Sequence, residues 1–181
     1  MNKKCFLVFL LAMIAIGRCF AQTSVRYDII DVEQLRLKAD SVAKAHLEMV
    51  PDFYGYSAVL HTDKDGKLTT LSYPLDAKFR YSLPEGIGVK GVGITVTLDA
   101  MLREDVQIAR FTAGKMPIKG EYMGLEQAIV HFTSYCPDYD DMVNVSLMHE
   151  NTVGEPTYLF EIKNRLFVLK AITGDYFFID P

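Results

Sequence analysis

Residues 142–180 read MVNVSLMHENTVGEPTYLFEIKNRLFVLKAITGDYFFID. Three strand-like runs, Met142–His149, Thr157–Lys163 and Arg165–Ile172, precede a fourth short one, Tyr176–Asp180. Asn164 and Thr173-Gly174 supply turn signals between them. Just upstream, Gly124-Leu125-Glu126-Gln127 opens a helix with Leu125, Ala128, Ile129, Phe132 and Cys136 on its inner face, and Pro137 ends it. A helix followed by antiparallel strands is therefore predicted for residues 124–181.

The first half has a similar outline. Residues 31–50 form an amphipathic helix on paper, with Asp31 and Gln34 at capping-box spacing. Val32, Leu35, Ala39, Val42, Ala43, His46, Met49 and Val50 share one stripe, and Pro51 stops the helix. Tyr56–Thr62 and Leu68–Tyr73 are strand-like runs around Asp63-Lys64-Asp65-Gly66-Lys67, a hairpin turn. Val89–Leu98 alternates, with Val92, Ile94, Val96 and Leu98 on one face, and Val106–Thr112 is a further strand. The helix ends match: Val50-Pro51-Asp52-Phe53 beside Cys136-Pro137-Asp138-Tyr139. The expected fold is α+β, amphipathic helices packed on small antiparallel sheets, as two related helix-plus-sheet units over 22–123 and 124–181. A single cone-shaped sheet holding a ligand pocket is the alternative.

Residues 1–21 read as a secretory signal peptide. Lys3 and Lys4 give a basic start, Cys5–Gly17 is apolar apart from glycine, and Cys19-Phe20-Ala21 sets cleavage between Ala21 and Gln22. Cleavage takes three of the 19 basic residues and none of the 23 acidic ones, so the net charge moves from −4 to −7. An acidic exported protein is a poor candidate for binding nucleic acid or an anionic membrane, and no membrane insertion is expected once the signal is cleaved. Two of the three cysteines leave with the signal, so the mature chain, with Cys136 alone, can form no internal disulfide.

Within residues 124–181, Glu126-Gln127-Ala128-Ile129, Pro156-Thr157-Tyr158 and Ala171-Ile172-Thr173-Gly174 resemble the PepSY family. Its pattern is a helix with an acidic residue near alanine, then a small sheet ending in Asp-Ala-x-Thr-Gly. Lys170 stands where that family has Asp. The resemblance implies an exported module tied to peptidase inhibition or to regulation at the cell envelope. The family carries no catalytic residues, so none transfers.

The chain's own chemistry-bearing residues read as structural. Cys136 with His131 could make a thiol pair, but Asp138, Asp140 and Asp141 would raise the thiol's pKa, and Cys136 lies on an apolar face. His131, His149 and the Asp138–Asp141 run match no closed metal-ligand spacing. His46, mid-stripe, reads as a packing histidine. The glycine run 86–93 precedes a strand, whereas a phosphate loop follows one. No catalytic residue, metal ligand or cofactor site is assigned.

The expected function is an exported, non-enzymatic binding module, inhibiting or regulating a secreted or envelope peptidase. Its partner is an exported protein or peptide, received at the C-terminal strand edge formed by Tyr176, Phe177, Phe178 and Ile179. The alternative is a small-molecule pocket protein or an unrecognised enzyme on a cone-like sheet.

Overall fold

The computed structural model describes residues 32–62, 68–70, 77–83, 92–99, 102–110, 115–139 and 142–180. The signal segment, Asp31, the 63–67 turn, the glycine run up to Gly91, Asp140 and Asp141 lie outside the described residues.

Two amphipathic stretches form helices. Helix α1 (Val32–Leu47) buries Val32, Leu35, Ala39, Val42 and Ala43, the residues its 3.6 periodicity places together. The expected stripe fails at its C-terminal end. The helix stops at Leu47, Glu48 turns left-handed at φ 55°, and His46 and Val50 are exposed rather than packed. Helix α2 (Leu125–Tyr135) buries Leu125, Ala128, Ile129 and Phe132, and Cys136 follows it into the core.

The strands are β1 (Asp52–Thr62), β2 (Leu68–Thr70), β3 (Ala77–Ser82), β4 (Val92–Leu98), β5 (Glu104–Arg110), β6 (Met142–His149), β7 (Pro156–Ile162), β8 (Arg165–Lys170) and β9 (Tyr176–Ile179). β3 escapes the sequence reading. Its signal is there, Ala77, Phe79 and Tyr81 alternating with Lys78 and Arg80. It is short, and two of its six residues are cations.

The expected α+β fold of helices on small antiparallel sheets is overturned. All the strands belong to one antiparallel sheet of order β5-β4-β3-β1-β6-β7-β8-β9, with β2 paired to β1, and only two helices occur among the described residues. The fold is sheet-dominated. The joint is the β1–β6 pair, in register from Gly55↔Met148 to His61↔Met142. It sets Tyr56, Ala58 and Leu60 opposite Leu147, Val145 and Val143, all buried. Separate sheets would leave β1 and β6 as unpaired edges; pairing removes both and merges their dry faces. The sheet thus runs through the boundary expected between residues 123 and 124.

Both helices lie on one face. α1 packs on β3 and β4, and α2 on β8. The core between helices and sheet includes Phe79, Tyr81, Val96, Leu98, Phe132, Phe160 and Phe167. The side chains that alternate with these point to the opposite face.

Candidate functional site: a free edge and an open face

Among the described residues β9 ends the sheet order and pairs only with β8, through Leu166↔Ile179, Phe167↔Phe178, Val168↔Phe177 and Leu169↔Tyr176. Alternation divides the residues expected to bind a partner. Tyr176 and Phe178 turn to the helix side. Tyr176 stacks on Tyr135 with ring centroids 3.9 Å apart, and Phe178 meets Phe167 edge-on at 5.3 Å. The Arg165 guanidinium lies 4.4 Å over the Phe178 ring and donates to Asp180 at 2.6 Å. Phe177 and Ile179 turn to the open face, 42% and 46% exposed. The edge strand is thus anchored by one face and free along its outer backbone.

The turn before it is held by a buried carboxylate. Glu155 Oε2 accepts from the amides of Ile172 (3.0 Å) and Thr173 (3.1 Å), and Oε1 accepts from the Thr173 hydroxyl (3.2 Å). Lys170 Nζ stands 3.7 Å from the same carboxylate. Gly174 completes the turn at φ 77°. These contacts aim β9 along β8.

The open face is chemically graded. One cross-strand row runs Asp105, Thr97, Lys78, Ser57, Ser146, Leu159, Val168, Phe177. It begins polar at β5 and becomes apolar at β9. At its centre a cleft of about 300 Å³ is lined by Ser57, Val59, Lys78, Asn144, Ser146 and Glu161. Asn144 donates to Glu161 at 2.8 Å, and Arg80 reaches Ser57 Oγ at 3.4 Å. Burial lowers the pKa of Arg80. The sequence reading missed Lys78 and Arg80 because it missed β3, whose alternation aims both at this face.

On the helix side a polar network ties α1 to the sheet. Arg36 Nη1 donates to the Tyr122 hydroxyl and the Tyr81 hydroxyl to Asp40, both at 2.7 Å. The Tyr158 hydroxyl donates to the Met123 carbonyl at 3.0 Å. Burial pushes the phenols of Tyr56, Tyr81 and Tyr158 well up. A cleft of about 440 Å³ beside Arg36, Asp40, Lys44 and Phe53 opens to the surface.

The other residues singled out in the sequence do not converge. Cys136 is 8% exposed in the core, and burial raises its thiol pKa. His131 is half-buried on α2, with Gly174 beside its ring. Asp138 is exposed. His149 lies at the end of β6 by a cleft of about 510 Å³ with Tyr54, Lys115 and Lys119, its Nδ1 buried without a hydrogen-bond partner. Among the described residues no three His, Cys, Asp or Glu side chains stand close enough to share a metal ion. No helix among them is long and apolar enough to cross a membrane.

This geometry defines a class: a sheet-dominated protein with one helix-covered face, one open face and an anchored C-terminal edge strand. Compared with protein-family models, curated proteins and solved structures, the chain matches none of them.

Proposed function

We propose that this chain is an exported, non-enzymatic binding module that receives a segment of a secreted or envelope peptidase as an added strand at β9. The supporting observation is the edge itself: among the described residues β9 pairs on one side only, while Tyr176 and Phe178 anchor it from the helix side. An added strand gains main-chain hydrogen bonds along such an edge, and alternate side chains supply specificity. Phe177 and Ile179 offer apolar contact on the open face beside Val168 and Leu166. Asp175 and Asp180 bracket the strand and oppose self-pairing, since an antiparallel second copy would set acid against acid. The signal-like N-terminus supports export, and the PepSY-like residues of 124–181 support a peptidase as the partner.

The test is a proline scan of residues 176–179, read by capture of exported peptidases from envelope extract and by melting temperature. Proline at the outward amides of Tyr176 and Phe178 should cut capture at least tenfold relative to Tyr176→Ala and Phe178→Ala, which lose the same rings but keep the amide and so set the reference for capture and melting temperature. Capture unchanged by every folded proline variant overturns the reading.

A further inference from the structure

Lys78 and Arg80 are successive open-face residues of β3. Lys78 is exposed, and Arg80 is half-buried. A cation partly withdrawn from water is ordinarily matched by a carboxylate. Here the cross-strand neighbours are Ser57 and Thr97 for Lys78, and Gly55 and Thr95 for Arg80, none of them charged. Neither cation makes an ion pair among the described residues, although eight such pairs occur elsewhere. The nearest open-face acids are engaged or distant. Asp52, opposite Ser82 on the neighbouring strand β1, is paired with Lys119; Glu161, three strands away or ~14 Å by strand spacing, accepts from Asn144, and Asp105, two strands away or ~10 Å, accepts from Gln107. Arg80's one side-chain hydrogen bond among the described residues, to Ser57 Oγ, is long at 3.4 Å. Two unmatched positive charges thus face hydroxyl groups at the centre of an acidic protein's open face.

We infer that Arg80 and Lys78, with the Ser57 and Ser146 hydroxyls, form a subsite for an Asp or Glu side chain of a partner protein docked on the open sheet face. The inference rests on the binding-module reading and adds the partner's chemistry to it. The guanidinium fork suits a carboxylate, and the two hydroxyls supply further donors. The subsite lies five strands from β9, ~24 Å across the sheet, so one partner would reach both by lying over the face rather than along the edge alone.

The test titrates the ¹⁵N-labelled protein with three probes: the blocked peptide acetyl-Ala-Val-Glu-Val-Ala-amide, its Gln counterpart, and inorganic phosphate. The Glu peptide should shift the Arg80 Nε–H and the Ser57 and Ser146 amides saturably, at least tenfold more tightly than either other probe. Arg80→Gln should abolish the shift of the Ser57 and Ser146 amides and Arg80→Lys should retain part of it. Arg80→Gln should not lower the melting temperature, because it removes an uncompensated charge. Should it unfold the chain, the exposed Lys78→Gln replaces it and should weaken binding several-fold. Equal binding of the Gln peptide, equal or tighter binding of phosphate, or no saturable response at Arg80 overturns the subsite. The edge is read separately at the amides of 176–179. A response there without one at Arg80 overturns the subsite and leaves the edge at β9 standing; a response at Arg80 alone leaves the subsite standing and counts against the β9 edge as the place where the partner binds.

Discussion

Gly55 occupies the bulge of β1 at φ 116°, where the register with β3 shifts. A Cβ there would overlap the Leu147 carbonyl oxygen on β6. Backbone strain and the collision both fall on the β1–β6 seam, so Gly55→Ala should lower the unfolding free energy by about 3 kcal/mol, read by urea denaturation. Cys136 makes the opposite case, a residue whose chemistry is suppressed. Its thiol is buried against α2, and burial favours the neutral form over the nucleophilic thiolate. A disulfide reagent should label it slowly in the native protein and at once in denaturant, and Cys136→Ala should cost about 1 kcal/mol. Rapid native labelling would contradict that assignment. Cys136 was legible as core because it falls on a 3.6-residue stripe. His46, on an equally clear stripe, was not, because periodicity says which face a residue occupies and not how far the facing sheet extends.

Among the elements, β9 depends most on a single side chain. Without the Glu155 carboxylate the Ile172 and Thr173 amides and the Thr173 hydroxyl lose their acceptor, and Lys170 loses a countercharge. Glu155→Ala should destabilise the turn by about 2 kcal/mol. Local opening at the chain end would then speed hydrogen exchange of the 176–179 amides by roughly 30-fold, with β1 and β6 little changed. Uniform acceleration across the sheet would place Glu155 in the global fold instead. The C-terminus of α1 offers a gain. Glu48 holds φ 55°, a conformation that costs a residue with a Cβ about 1 kcal/mol relative to glycine. Glu48→Gly should raise the melting temperature by about 2–4 °C for a chain of this size.

At the scale of the whole molecule, the tyrosines beneath α1 link stability to alkaline pH. Burial is the largest cause of the raised pKa values of Tyr56, Tyr81 and Tyr158; for Tyr81 the hydrogen bond to Asp40 adds to it. The folded state therefore keeps these phenolic protons at pH values where the unfolded chain, near pKa 10, releases them. Their contribution is fully present below about pH 10 and falls as pH rises above it, by about 1.4 kcal/mol per pH unit for each tyrosine. Stability measured from pH 8 to 11.5 should be level at first and then drop steeply. Tyr81→Phe should make that drop shallower by one proton's worth. A flat profile to pH 11.5 would show the phenols to be solvent-accessible.

Local pattern carried much of the chain. The buried faces of α1 and α2, the bounds of β6 to β9 within two residues, and the split of β9 into Tyr176 and Phe178 against Phe177 and Ile179 follow from periods of 3.6 and 2 acting over neighbouring residues. These rules describe one element at a time. Whether β1 would find β6, some 90 residues on, has no local signature, because the bonds that join them are backbone groups every residue owns. That pairing turned an expected set of small sheets into one and left β5 and β9 as its ends. The β1–β3 and β3–β4 pairings in turn gave Lys78 and Arg80 hydroxyls and glycine as neighbours, since register alone decides which residues oppose them. The sequence by itself determined which side chains could be buried or exposed in each element; only the tertiary structure decided which edge stayed free and which charges were left unmatched.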